Sequence, residues 1–265
     1  MMVEGGRRRY AAVVGYDGTE FFGFQRQARE RTVQAVLEEA LKLLLGHETR
    51  VAGAGRTDSG VHARGQVISF VTDKAIPPRG MPGALARYLP RDVVVSSAFW
   101  VPEDFDPQRD AVSKTYVYRV WAGGSPDPLW QRYAAWHRGQ LDIDLMGKAA
   151  SEFVGRHDFA SFRALGSSAR TTEREVFRSE VTVQPDGLIS FTVEADGFLY
   201  RMVRLMAGTL VDVGRGHLPP GAVGELVRIP GQGVRGQCLP GHGLCLEKVW
   251  FGRDLHLLDQ EVGRG

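Results

Sequence analysis

Cysteine and long apolar segments are the two features that this 265-residue sequence largely lacks. Six residues separate its two cysteines, Cys238 and Cys245, a spacing that suits neither a disulfide framework nor a close pair of zinc ligands. The basic N-terminal residues are not followed by an apolar stretch of signal-sequence length, and no later segment is long enough to span a bilayer. We therefore expect a reduced, cytoplasmic protein that is neither secreted nor inserted in a membrane.

An excess of charge of one sign is also missing, because 33 Lys and Arg residues oppose 31 Asp and Glu residues, for a net charge of +2. Nearly all of the basic residues are nevertheless arginine, whose planar set of donors is well shaped for phosphate. With 43% hydrophobic residues, the chain can bury a core without disulfides or metals. The composition therefore permits one large domain or two ordinary ones, and it gives only weak support for an RNA ligand.

The periodicity of the first hundred residues predicts a β-α-β-β-α-β unit. Its predicted elements are a strand over 9–16, a helix over 32–45, strands over 49–54 and 66–71, a short helix over 83–88 and a strand over 93–100. Thr32 is suited to cap the first helix at its N-terminus, and Gly46 follows its end.

A segment with two prolines, residues 102–107, interrupts the pattern, which then begins again. The second set comprises a strand over 114–121, a helix over 141–154, hairpin strands over 176–184 and 188–195, a helix over 198–213, an extra helix over 222–229 and a strand over 244–251. We therefore expect an α+β fold of two tandem ferredoxin-like subdomains, residues 1–104 and 105–253, whose antiparallel sheets flank a central active-site cleft. Residues 254–265 are expected to form a flexible tail.

The most informative motif runs from Gly55 to His62 and reads Gly-Arg-Thr-Asp-Ser-Gly-Val-His. Its glycines frame Asp58, which follows an apolar strand, and Arg56 can hold a phosphate with its planar guanidinium. Such a pattern suits a reactive carboxylate beside an anion clamp. The alternative is an ordinary turn, in which the aspartate only accepts a hydrogen bond from the backbone N–H two residues on.

This motif resembles the signature of the tRNA pseudouridine synthase A family, in which the aspartate at the position of Asp58 is catalytic. Further segments resemble the other motifs of the family in the same order, and they are residues 16–19 with 23–27, 114–118, 157–162, 198–204 with Gly208, and 240–244. Gln108 and Leu239 depart from the family pattern, which often has Arg and Ala there. These departures concern substrate contacts and leave the acid untouched.

The resemblance implies an isomerase that converts uridine to pseudouridine at positions 38, 39 and 40 of the tRNA anticodon stem-loop. It also implies a homodimer, with each tRNA spanning both subunits, and a reaction that needs no cofactor and no metal. RNA binding would come mainly from arginine contacts with phosphates. The candidates for such contacts are Arg7, Arg8, Arg9, Arg26, Arg29, Arg31 and Arg64.

Individual roles follow from the same resemblance. Asp58 would act at C1′ as a nucleophile or as a stabiliser of the cation-like sugar, and Arg204 would pair with it. Tyr116 would stack on the target base and could take part in proton removal. Arg56 would hold or extrude the target nucleotide, and Leu244 would pack beside the base.

Each of these residues also has a purely structural interpretation. Tyr116 and Leu244 could be strand residues of a core, Arg204 a salt-bridge partner on a helix face, and Arg56 a solvated charge. His62 is better explained as a hydrogen-bonded turn residue than as a base.

Two other functions compete with the enzyme. A non-catalytic RNA-binding protein with two ferredoxin-like modules should carry an aromatic-rich sheet motif, and the sequence has none. A metal hydrolase that uses Asp58, His62 and His157 lacks the compact ligand spacing of such sites.

Overall fold

The computed structural model describes residues 6–166, 169–231 and 236–262. The chain divides into two compact units, one formed by Met1–Val112 with Leu246–Gly265 and the other by Ser113–Cys245. Each unit combines helices with strands, and most strand pairs are antiparallel. The α+β class predicted from the sequence is therefore confirmed.

The first unit begins with an antiparallel sheet and two helices. These elements are β1 (Arg8–Tyr16), α1 (Val33–Leu45), β2 (Ala52–Gly53), β3 (His62–Thr72), α2 (Met81–Leu85) and β4 (Val93–Val101). Strand β1 lies between β4 and β3, and β2 pairs with the other side of β3. The core of this unit includes Tyr10 and Phe70, whose rings stack with 5.2 Å between centroids.

Helix α1 begins and ends as its sequence predicts. The Thr32 side chain accepts a hydrogen bond from the N–H of Ala35, and Gly46 adopts a left-handed conformation from which its N–H donates to Lys42. Apolar residues at helical spacing are buried, among them Leu37 and Leu41.

Strand β2 is much shorter than the strand predicted over residues 49–54. The reason lies on α1, because the Glu38 carboxylate accepts the N–H of Val51 and the Gln34 side chain donates to the carbonyl of Val51. Helix side chains therefore satisfy the backbone groups that a longer strand would have offered to a ladder.

The pairing of β1 with β3 shifts register just before β1 ends. Val14 pairs with Gln66 and Tyr16 pairs with Ala63, so Gly15 opposes two residues of β3. A bulge of this kind bends the strand and re-aims the side chains beyond it. It lies immediately before the motif segments 16–19 and 23–27.

The second unit is built mainly on antiparallel strands. Its elements are β5 (Ala111–Gly123), β6 (Ala135–Arg138), α3 (Ile143–Ser151), β7 (Gly155–Asp158), β8 (Glu173–Val183), β9 (Leu188–Ala195), α4 (Met202–Gly214) and α5 (Ala222–Arg228). The strands β5, β9, β8 and β7 are neighbours in that order, and β6 runs parallel to β5. Strands β6 and β7 were not predicted. In the core, the ring of Phe153 packs on those of Phe159, Phe162 and Phe191.

Helix α4 begins four residues later than the sequence periodicity predicts. Arg201, directly before it, has a φ of 60° and lies in the left-handed region, so the helix cannot extend through this residue. Phe198 instead packs edge-to-face on Tyr116, with 5.1 Å between ring centroids. The residues before α4 therefore belong to a loop that contacts β5.

The C-terminal segment completes the first unit and differs from the prediction of a flexible tail. Strand β10 (Leu244–Phe251) lies beside β3 and leads to helix α6 (Leu255–Val262). The Asp259 carboxylate of α6 accepts the backbone N–H of Trp100, at 2.8 Å. Residues 263–265 of the predicted tail lie outside the described residues.

The unit boundary also differs from the predicted division at residues 104 and 105. The ring of Phe105 packs on that of Phe251, with 5.5 Å between centroids, so this residue belongs to the first unit. None of the helices in the described part of the chain is long and apolar enough to cross a membrane.

Candidate active site

Asp58 lies in an irregular loop, residues 54–61, between β2 and β3. Its side chain is half-buried, while Arg56 is exposed and Thr57 is buried. Gly60 has a φ of 76°, and the N–H of Val61 donates to the carbonyl of Asp58 over 3.1 Å. A tight turn therefore follows the acid directly and requires glycine at position 60.

The hydrogen bond of the Gly60 N–H distinguishes this loop from an ordinary turn. In an ordinary turn, the Asp58 side chain would accept this N–H, which lies two residues on. The N–H donates to the carbonyl of Phe21 at 3.2 Å, and the Ser59 hydroxyl donates to the same carbonyl. Gly60 and Ser59 therefore hold the loop to another segment of the chain.

That segment is the first motif, residues 16–27, which packs against the Asp58 loop through two glycines. A β-carbon at Gly18 would lie 2.1 Å from the carbonyl oxygen of Val61, and one at Gly23 would lie 2.6 Å from that of Thr57. The N–H of Phe24 donates to the carbonyl of Thr57 over 3.0 Å. The sequence pattern predicts no role for these glycines, although their positions in the same motif as Asp17 were the available signal.

A buried hydrogen bond joins the same two segments. The hydroxyl groups of Tyr16, at the end of β1, and Thr57 lie 2.8 Å apart, and either can be the donor. Tyr16 is placed there by the register shift at Gly15. The residue before Asp58 is thus held by the sheet itself.

His62 takes part in this packing as a buried acceptor. The N–H of Gly18 donates to its Nδ1 over 3.0 Å, and Oδ1 of Asp17 lies 3.2 Å from the same nitrogen. Oδ1 of Asp17 also accepts from the backbone and hydroxyl of Thr19. These contacts agree with the interpretation of His62 as a turn residue, because they use it to hold the first motif.

Arg56 lines a cavity of about 180 Å³ next to the loop. Gln108, one of the two departures from the family pattern, lines the same cavity. The backbone N–H of Gln108 donates a hydrogen bond to the Asp106 carboxylate over 2.8 Å. An exposed guanidinium at the mouth of a small polar cavity is able to bind a phosphate or a base edge.

Tyr116, Arg204 and Leu244 are all in the second unit. Tyr116 is only 7% exposed on β5 and packs on Phe198, as a core residue would. Leu244 is buried at the start of β10, directly after a short 3₁₀ helix over Gly241–Gly243. A β-carbon at Gly243 would lie 2.6 Å from the ring of Tyr118, whose hydroxyl donates to the carbonyl of Pro240. The segment that leads into Leu244 is therefore fixed on β5.

Arg204 is half-buried on the first turn of α4. Its Nε–H donates to the carbonyl of Leu239 over 2.7 Å, and its own carbonyl accepts the N–H of Leu239. The close approach of this segment also requires Gly208, where a β-carbon would lie 1.7 Å from the carbonyl oxygen of Gln237. Leu239, the other departure from the family pattern, thus contacts Arg204 through its backbone N–H and carbonyl, which any residue except proline can supply.

Several of the arginines predicted to contact RNA have partners inside the first unit. Arg26 pairs with Glu38, Arg31 with Asp92 through two hydrogen bonds, and Arg64 with Glu247. By contrast, Arg7 and Arg9 line a cavity of about 650 Å³. All three arginines remain exposed in these pairs, and exposed ion pairs are weak, so the pairs leave them as candidates for phosphate contacts.

Potential metal ligands are not clustered. Within 6–166, 169–231 and 236–262, no group of three or more His, Cys, Asp or Glu side chains is arranged to hold a metal ion. Nε2 of His157 lies 3.0 Å from the carbonyl oxygen of Val154. The metal-hydrolase alternative therefore has no ligand set in this part of the chain.

Comparison with known proteins assigns the chain to a family. A family model described as tRNA pseudouridine synthase matches residues 12–108 and 149–252. The tRNA pseudouridine synthase A of Pelobacter propionicus is 45% identical over 246 residues, which cover 92% of this chain and 100% of that protein. The enzymes of the same name from Geotalea daltonii and Geobacter sulfurreducens are 42% and 43% identical, again over 92% of this chain and 100% of theirs. This chain therefore belongs to the tRNA pseudouridine synthase family.

Proposed function

We propose that this chain converts uridine to pseudouridine at positions 38, 39 and 40 of the tRNA anticodon stem-loop, with Asp58 acting at C1′ of the flipped uridine. Family membership supports the broader part, that the chain is an isomerase that modifies tRNA. The anticodon positions and the role of Asp58 rest on the motif resemblance. The observation that carries the proposal is the Asp58 loop, where a half-buried carboxylate beside an exposed arginine is anchored by Gly18 and Gly23.

The proposed reaction needs no redox partner and no energy source, because atoms and electrons balance within the uridine. The bond between N1 and C1′ breaks, the uracil turns, a bond forms between C5 and C1′, C5 loses a proton and N1 gains one. The sugar passes through a cation-like state at C1′, which the Asp58 carboxylate can stabilise electrostatically or trap as a covalent intermediate. Both routes require a site that retains the uracil and excludes water.

The remaining residues have supporting roles in this proposal. Arg204 pairs with Asp58 and fixes the orientation of its carboxylate. Tyr116 stacks on the base and takes part in proton removal, and Leu244 packs beside the base. Arg56 holds the target nucleotide outside the stem, because the sugar is accessible only after the base leaves the stack.

We also infer that each unit is a ferredoxin-like repeat and that the protein is a cytoplasmic homodimer. The strand order β4-β1-β3-β2 of the first unit supports the repeat, as does the chain order β5-α3-β8-β9-α4 of the second. The homodimer follows from the resemblance alone, and light scattering of the purified protein tests it.

The position of modification tests the proposed function. Purified protein is incubated with tRNA transcripts that carry uridine at position 38, 39 or 40, and pseudouridine is mapped chemically. A transcript with cytidine at all three positions and uridine elsewhere is the control. We expect pseudouridine at the three positions and none in the control. Pseudouridine only elsewhere would refute the anticodon assignment, and binding of tRNA without any pseudouridine would favour the non-catalytic RNA-binding protein.

A further inference from the structure

Lys114 lies on the same face of β5 as Tyr116. Side chains two residues apart in a strand share a face and are separated by about 7 Å. In the antiparallel ladder, Lys114 pairs with Ala195 and Tyr116 with Val193 of β9. The ammonium group of Lys114 is thus the next side chain, on this face of the strand, to the Tyr116 ring. In the proposed function, the target base stacks on this ring.

The ammonium of Lys114 has no bound counterion within the described residues. No hydrogen bond or ion pair reaches it there, although its side chain is half-buried. Asp196 is the acidic group that acts on it through space, but Oδ1 of Asp196 already accepts the backbone N–H of Glu175 over 3.0 Å. Burial lowers the pKa of Lys114, and the charge of Asp196 only partly opposes this effect.

On the opposite face of β5, the polar side chains have hydrogen-bond partners. The hydroxyls of Ser113 and Thr115 both donate to the carboxylate of Glu194. A cation removed from water without a partner is costly, so an unpartnered one in a folded protein is typical of a site that receives an anion from a ligand.

We propose that Lys114 binds a backbone phosphate of the RNA substrate at the nucleotide whose base is received by Tyr116. This inference rests on the proposed function, in which the ligand of Tyr116 is a uridine of tRNA. The phosphodiester is the anionic group of RNA, and a charge-assisted hydrogen bond from a half-buried ammonium is stronger than one from a fully solvated ammonium. Lys114 would then position the flipped nucleotide through its backbone and leave the reacting atoms to other groups.

Substitution of the two lysines of the second unit tests this inference. Lys114→Met keeps the length of the side chain and removes the charge, Lys114→Arg keeps the charge, and Lys148→Met removes an exposed lysine of α3 as the matched control. The Kd for unmodified tRNA is measured over a series of salt concentrations, together with KM, the single-turnover rate at saturating tRNA and the Tm.

We expect Lys114→Met to weaken tRNA binding about tenfold and to lower the slope of log Kd against log salt concentration by about one, as for the loss of one phosphate contact. The loss should fall mainly on Kd and KM rather than on the single-turnover rate. Lys114→Arg should keep most of the affinity, and Lys148→Met should match the wild type. The Tm of Lys114→Met should not fall, because the change removes a buried charge without a partner.

Three results would overturn the assignment. They are an unchanged salt slope in Lys114→Met, a loss confined to the single-turnover rate with an altered pH profile, and an affinity loss that Lys148→Met reproduces. A wild-type protein that binds tRNA but forms no pseudouridine would instead refute the proposed function, and the salt slopes would still measure the phosphate contact.

Discussion

Gly18 lies directly against the main chain of Val61, so closely that a β-carbon at position 18 would stand 2.1 Å from the Val61 carbonyl oxygen. The contact joins the first motif to the loop that carries Asp58. Backbone atoms cannot move aside as the end of a flexible side chain can, so a methyl group there must displace one of the two segments.

Gly18→Ala should therefore damage both stability and catalysis. We expect a loss of about 1–3 kcal/mol in the free energy of unfolding, as for other overpacked sites. The single-turnover rate of pseudouridine formation should fall as well, because the loop shifts with its anchor. Chemical denaturation and single-turnover assays measure the two effects.

Gly83→Ala is the matched control, because a β-carbon at this position of α2 meets nothing within 4 Å. It should leave the rate unchanged and stabilise the helix by roughly 0.5–1 kcal/mol. Equal stability and activity of Gly18→Ala and the wild type would show that the Gly18 contact does not position the loop.

The exposed guanidinium of Arg56 should contribute to the rate through the target nucleotide. If it holds a phosphate or base in the flipped conformation, Arg56→Ala should lower kcat/KM by roughly 10- to 100-fold, the equivalent of one charge-assisted hydrogen bond. Arg56→Lys should recover only part of this loss, since lysine lacks the bidentate geometry.

Arg87→Ala, which removes an exposed arginine beyond α2, controls for the general loss of positive charge. A loss in kcat/KM shared by Arg56→Ala and Arg87→Ala would contradict a specific role for Arg56. Steady-state kinetics with a single tRNA transcript at constant salt are sufficient for the comparison.

Tyr118 should make the stability of the protein depend on pH in the alkaline range. Burial raises the pKa of its phenol well above the ordinary value of 10.0. The folded protein keeps the proton while the unfolded chain loses it near pH 10, so this contribution to stability is complete below pH 10 and is lost as the pH rises further.

Tyr118→Phe removes this ionisation together with the hydrogen bond to the Pro240 carbonyl. It should destabilise the protein by about 1 kcal/mol at neutral pH. The difference from the wild type should shrink as the pH rises above 10, the ordinary tyrosine pKa. Urea denaturation at several pH values measures it, with the exposed Tyr88→Phe as control. A difference that is constant with pH would contradict the burial effect.

Turn and cap residues in the sequence were sufficient to predict the bounds of the elements that they begin or end. The hairpin strand β9 and the strand β10 have the predicted bounds, because a turn residue precedes each one. In the hairpin, Gly187 has a φ of 87° and the Asp186 carboxylate accepts the N–H of Leu188. Helix α1 likewise carries both of its caps in its own sequence.

Long-range contacts determined what the sequence did not predict. Strand β6 exists through parallel pairing with β5, α6 through its contact with β4, and β2 is short because α1 takes its backbone hydrogen bonds. For the candidate site, the motif resemblance predicts Asp58 as the catalytic acid. The packing of Gly18 on Val61 joins residues far apart in the chain, so only the structure gives it.

The central claim is that the Asp58 carboxylate carries the chemistry, and Asp58→Asn tests it most directly. The measurement is single-turnover release of tritium from tRNA labelled at uracil C5, together with the Kd of each protein for the same tRNA. We expect Asp58→Asn to bind tRNA with nearly the wild-type affinity and to release no label. Release at the wild-type rate would contradict the assignment of the acid.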